Sequence, residues 1–199
     1  MADFKLLGGT DPVNQSLGVM TQGLGFPLRE VEPAVSGGAV TVVVQNALSA
    51  DSFVDQDPVG LGTPMRVSFG DAQANEFFSL AADGTLTVLQ GDEYTFRVKL
   101  TVGREGAGGE SQLYTRVMYN GVQAGVSNHA IIDSARLEFP LVLEGVLPLV
   151  PGDELWIELA RDLDGTDSGG LRAGTPDLVG WTASPSARLT INRFVAVTP

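Results

Sequence analysis

Residues 91–102 read Gly-Asp-Glu-Tyr-Thr-Phe-Arg-Val-Lys-Leu-Thr-Val, and this stretch decides the fold. Tyr94, Phe96, Val98, Leu100 and Val102 fall on one side of an extended chain, and Thr95, Arg97, Lys99 and Thr101 on the other. Successive side chains of a strand point to opposite faces, so the alternation describes a β-strand with one face in a core and one toward water. The same period returns on both sides of it. Upstream lie the β-branched run Ala39–Val44, the segments Met65–Phe69 and Glu76–Leu80, and Thr85–Leu89 leaving the turn dipeptide Asp83-Gly84. Downstream, Leu113, Thr115, Val117 and Tyr119 alternate up to Asn120-Gly121, the strongest short hairpin signal. Leu137, Phe139, Leu141 and Leu143 follow, then Leu155, Ile157 and Leu159 after the turn Pro151-Gly152-Asp153, and finally Ala187, Leu189 and Ile191.

No segment carries an apolar stripe of helical period and length; Ala72–Glu76 and Ile131–Ala135 have room only for single helical turns. Roughly eight to ten strands at spacings of about ten residues predict an all-β, antiparallel β-sandwich or jelly roll. The chain divides near residue 60. Residues 1–60 read as an N-terminal extended arm, a docking segment with one or two strands that ends in the acidic, Gly- and Pro-rich stretch Asp51–Pro64; residues 61–199 read as the jelly-roll domain.

Composition narrows the chemistry. The 199 residues are 43% apolar and only 18% charged, with 25 glycines and 11 prolines falling in short punctuating clusters. Acidic residues outnumber basic ones 24 to 12, so the net charge of −12 argues against a nucleic-acid surface, which needs Lys and Arg in excess. No window is long and apolar enough to span a bilayer, and no membrane partner is expected. The start MADFKLLGGTDP lacks the cationic and apolar regions of a secretory signal. With no cysteine and one histidine (His129), thiolate nucleophiles and Cys- or His-rich metal sites are excluded, and two lysines (Lys5 and Lys99) leave Schiff-base chemistry few candidates. No dinucleotide fingerprint, P-loop or HExxH motif occurs. The expectation is a protein that is not an enzyme and carries no cofactor or metal.

Several stretches resemble a recurrent virion protein of tailed bacteriophages, whose jelly roll is similar to those of the complement globular-head and tumour-necrosis-factor families. They are Val67–Gly70 with Leu80–Thr87, Gly91–Phe96, Arg116–Gln123, Leu149–Ile157 and Ser184–Ile191. The resemblance covers about two thirds of the chain, residues 60–195, and its motifs are turns and strand starts. It implies a phage structural protein on the capsid surface: a decoration (cement) protein binding the major capsid protein across subunits, or alternatively the receptor-binding tip of a tail or head fibre. Such jelly rolls commonly assemble as trimers, so the resemblance implies a homo-oligomer, with a dimer left open beside the trimer. The capsid-docking anchors would then be Phe4, Leu6, Leu7 and Phe26 of the arm.

The remaining features have local readings. Tyr114, Met118 and Trp156 lie on the second face of strands whose first face is already apolar, so a sister subunit of a homo-oligomer, a homotrimer by the resemblance, is expected to cover them. Trp156 and Trp181 are both expected to be covered, because large aromatics rarely stay in water. Asp162, Asp164 and Asp167 in DLDGTDSGG suit a hard cation by type, but the spacing departs from a calcium loop and an acidic, solvated turn is expected. His129, between Asn128 and Ala130, is expected on an exposed loop. The pairs Asp92–Glu93 and Asp153–Glu154 are expected to bond local backbone in turns rather than to flank a glycosidic bond.

Overall fold

The computed structural model describes residues 41–104, 109–133, 138–164 and 168–197. The four expected anchors, Phe4, Leu6, Leu7 and Phe26, lie outside the described residues. Among the described residues there are twelve strands and no helix: β1 (Thr41–Ser52), β2 (Met65–Arg66), β3 (Gln73–Ala74), β4 (Phe78–Leu80), β5 (Leu86–Val88), β6 (Asp92–Arg104), β7 (Ser111–Tyr119), β8 (Val122–Ile132), β9 (Glu138–Leu149), β10 (Glu154–Arg161), β11 (Gly169–Leu171) and β12 (Ala187–Val197). All pairings between these strands are antiparallel. One sheet runs β1-β12-β6-β9, with β11 on the same edge of β6 beyond β12. The other runs β3-β4-β5-β10-β7-β8, with β2 on the same edge of β10 beyond β5. The long strands therefore stack as β1-β12-β6-β9 over β5-β10-β7-β8, the connectivity of a jelly roll.

β6 is the axis of the core. Tyr94, Val98, Leu100 and Val102 are buried and Phe96 nearly so, while Arg97 and Lys99 face water, as the alternation predicts. β12 and β9 flank it on either edge and add Leu189, Ile191, Leu141 and Leu143 to the same layer. The opposite sheet answers with Phe78, Leu80, Leu113, Ile157 and Leu159. Phe78 meets Tyr94 edge-to-face across the layers at 4.8 Å, and the Tyr94 hydroxyl donates to the Gln90 carbonyl at 2.8 Å. Burial pushes the Tyr94 phenol pKa up, so the ring enters the core neutral with its polar end satisfied.

Of the two segments with room for a helical turn, the first holds β3 at Gln73–Ala74, with the Asn75 carboxamide accepting from the Phe77 and Phe78 amides; in the second, Ile131 and Ile132 end β8, and residues 134–135 lie outside the described residues. His129 stands on β8 rather than on a loop, although it is exposed. Packed structure also extends N-terminal of residue 60. β1 pairs with β12 from Thr41↔Val197 to Ser52↔Ala187, and it buries Ala47, Leu48 and Ala50. The following loop is pinned as well. Gln56 exchanges backbone bonds with Leu171, and its side chain bonds the backbone of Ser68 at both ends. Asp57 Oδ1 reaches the buried guanidinium groups of Arg172 (2.9 Å) and Arg161 (3.2 Å). Low dielectric strengthens such pairs and penalises a buried charge left alone.

The turns carry the geometry their residues require. Asn120 and Gly121 both adopt positive φ (48° and 83°), as a two-residue hairpin with the right strand twist demands. Pro151-Gly152 forms a second turn, closed by the Asp153 amide donating to the Val150 carbonyl at 3.1 Å. Asp153 ties the two turns together. Its carboxylate accepts from the Val150 amide (2.8 Å), the Tyr119 hydroxyl (2.9 Å) and the Asn120 amide group (2.9 Å). Burial alone would raise its pKa, but these donors outweigh that and hold it below the usual carboxylate range.

Two predictions follow from this geometry. A Cβ on Gly84, which sits at φ 86°, would lie 1.9 Å from the Val67 carbonyl oxygen, so Gly84→Ala should destabilise by about 3 kcal/mol or more in urea unfolding. Asp153→Ala should lose about 2–3 kcal/mol, because it removes a charged acceptor from three donors at once. The Asp153 contribution is full above the unfolded carboxylate pKa and is lost as pH falls through the depressed folded value. Wild type should therefore lose stability on acidification more steeply than the alanine variant in parallel urea titrations.

Candidate interaction surface

The solvent-facing side of β10, β7 and β8 gathers an aromatic and charged ladder. Register sets its rungs: Trp156 stands opposite Met118, Glu158 opposite Arg116, and Ala160 opposite Tyr114, which in turn stands opposite His129. β2 places Arg66 on the far side of Glu158. These positions alternate with the buried Leu155, Ile157 and Leu159, which is why one strand presents a core face and this face together.

The rungs are cross-bonded. Glu158 Oε2 accepts from Arg116 Nε at 2.7 Å and Nη2 at 2.6 Å, and Glu158 Oε1 accepts from the Trp156 indole N–H at 2.9 Å. The Arg66 guanidinium lies 4.4 Å from the centre of the Trp156 ring and bonds Asp83 Oδ2 at 2.9 Å. Asp83 is held below the ordinary carboxylate pKa, first by the Thr85 amide and then by the Thr85 hydroxyl, with Arg66 adding to both. Tyr114 and His129 stack with ring centres 4.5 Å apart and planes 17° from parallel. A groove of about 180 Å³ runs beside them, lined by Pro64, Tyr114, Thr115, Arg116, Ser127, Glu158 and Ala160. Two arginines and two carboxylates neutralise one another across this face. The result is a locally balanced, polar-and-aromatic surface on a chain that is strongly acidic overall.

The three residues expected at a subunit contact do share this face. Tyr114 is 37% exposed, whereas Met118 is only 7% exposed and Trp156 is partly buried. Met118 is thus covered within its own chain, and Arg66 lies across the Trp156 ring. Sequence reasoning missed Arg66, Arg116, Glu158 and His129 as members of the face. Alternation marks Arg116 and Glu158 as outward-facing, but which strands are neighbours is a long-range fact that it does not carry.

The other singled-out residues lie elsewhere. Trp181 is not covered: it stands 71% exposed on the loop between β11 and β12, where no sheet shields it. The Asp162 carboxylate accepts from the Leu163 amide at 2.6 Å, as a solvated turn does. Asp167 lies outside the described residues, and among those described no three potential metal donors converge. Asp92 accepts from the Glu93 amide at 2.8 Å in a local bond of the expected kind.

Compared with protein-family models and with curated protein sequences, the chain matches none.

Arg66→Ala should uncover Trp156 with little loss of stability, under about 1 kcal/mol, as for an exposed cation–π pair and surface ion pair. In a Trp181→Phe background, where Trp156 is the sole indole, the emission maximum should move to longer wavelength.

Proposed function

We propose that this chain is a non-enzymatic structural protein of a tailed-phage particle: a head-decoration (cement) protein on the capsid surface that binds the major capsid protein across neighbouring subunits. The likeness of its turn and strand-start motifs to phage virion jelly rolls supports this reading. The observation that carries it furthest is the polarity of the sandwich. β1 begins opposite Val197 and ends opposite Ala187, so residues 1–40 join the body at the pole formed by the Asn120-Gly121 and Pro151-Gly152 turns. Docking through Phe4, Leu6, Leu7 and Phe26 would grip the lattice at that pole and leave the opposite pole outward.

The mechanism is mechanical. Packaged DNA pushes the shell outward, and a clamp bound only to the closed lattice raises the work of separating its subunits. Such linkage is worth about 2.7 kcal/mol at a hundredfold excess over the dissociation constant. The chain would act as a homotrimer, with Tyr114 at the contact between subunits and Met118 and Trp156 behind it.

A specific observation favours a second reading, the receptor-binding tip of a fibre. Gly169 pairs with Arg104, so the end of segment 162–170 meets the beginning of segment 103–109 at the pole away from the start of β1.

Deleting residues 1–25 removes none of the described contacts, all of which lie within residues 41–197. The truncated protein should keep the β-sheet circular dichroism and cooperative unfolding of the full chain, yet fail to decorate particles in electron microscopy. Undiminished attachment would refute the arm. Hundreds of copies per particle would support decoration, and a few dozen or fewer would support the fibre.

A further inference from the structure

The loop between β11 and β12 ends in a projecting apolar turn that the fold does not use. The Gly174 and Ser184 backbones bond to each other in both directions, at 3.0 and 2.7 Å, and close the base of the loop. Beyond that base every residue from Asp177 to Ser184 is exposed. The Trp181 amide donates to the Leu178 carbonyl at 3.2 Å, and Gly180 takes φ 83° with open space around it. This is a four-residue turn in which glycine supplies the one conformation that other residues resist. The turn holds out Leu178 (56% exposed), Val179 (105%) and Trp181 (71%) together. Phe53 and Val54, also exposed, flank its root, where Ser186 bonds the carbonyls of Ser52 and Val54.

We infer that the Leu178–Trp181 turn is a membrane-contact tip that enters the headgroup–acyl boundary of a zwitterionic phospholipid bilayer. Three observations select this occupant. The patch is a convex projection rather than a groove, a shape that suits a deformable apolar phase. Its chemistry is graded, with the aliphatic Val179 at the apex and the amphipathic Trp181 beside it; tryptophan favours the headgroup level, where its ring is in hydrocarbon and its N–H in water. Residues 173–187 hold one charge, Asp177, and neither Lys nor Arg, and the chain carries −12 overall, so anionic lipid is disfavoured and neutral headgroups are tolerated. The root of the loop rests at the end of β1, where Ser186 bonds Ser52, roughly 36 Å along the sheet from the start of that strand. This inference stands apart from the capsid reading and survives its failure.

The test uses the full chain carrying Trp156→Phe, so that Trp181 is the only indole, with vesicles of pure phosphatidylcholine. Trp181 emission should shift to shorter wavelength as vesicles are added and be quenched when the acyl chains are brominated. Val179→Asp, an exposed substitution that touches no core residue, should lower the vesicle partition coefficient at least roughly tenfold while leaving the β-sheet circular dichroism unchanged. Replacing a third of the lipid with phosphatidylserine should weaken binding at low salt. Unchanged emission at lipid excess would overturn the proposal. So would a shift that appears without lipid as protein concentration rises, because the turn would then bind a second copy, and so would binding that requires the anionic lipid.

Discussion

One constraint governs the molecule: β6 must keep an unbroken apolar face while its backbone is paired on both edges. Thirteen residues long, it gives one edge to β9 from Asp92 to Gly103 and the other to β12 and then β11. A strand so placed leaves almost none of its amides to water, and its inward side chains have no alternative to the core. β1 reaches that core only through β12, and the second sheet closes over Tyr94, Val98 and Leu100. If β6 slipped by one residue, Arg97 and Lys99 would turn inward and the apolar set outward. The register is therefore fixed by burial, and the rest of the sandwich inherits it.

The legible part of the sequence is the part with a strict period of two. The inward faces of β6, β7, β10 and β12 lie where alternation puts them, and the turns at Asp83-Gly84, Asn120-Gly121 and Pro151-Gly152 fall where glycine permits positive φ. Legibility fails where the pattern is polar or interrupted. β8 runs through Gln123, Gly125, Ser127, Asn128 and His129 as a sheet edge with much of its length exposed, so no hydrophobic period announces it. In β1 the conspicuous valines mislead. Val43 and Val44 are exposed, and the core is reached by Ala47, Leu48 and Ala50 around a register shift between Asn46 and Leu48. A bulge of this kind resets the phase of alternation, and a reading that assumes one phase loses the strand after it.

Polar contacts were the least legible, because they depend on positions brought together from far apart. Asp153 looks like a local turn residue and is one, yet it also receives Tyr119 and Asn120 from a hairpin more than thirty positions earlier. Asp57 sits in a stretch that reads as a linker, but it supplies a carboxylate to two buried arginines from β10 and the segment after β11. On the candidate surface, alternation identifies Tyr114 and Trp156 as outward-facing. Only strand order reveals that Arg66 lies over Trp156 and that Glu158 collects both Arg116 and the indole N–H. Trp181 fails for the opposite reason: its size argues for burial, while its loop offers it nothing to be buried against.

The central claim, that β6 organises one cooperative sandwich from β1 to β12, is tested most directly by native-state amide hydrogen exchange. The account predicts that amides of β6, β9 and β12 exchange only through global unfolding, with those of β1 in the same cooperative unit, while residues 177–183 exchange at nearly unprotected rates. Exchange of β6 by local opening, or β1 amides exchanging freely while β12 stays protected, would contradict it.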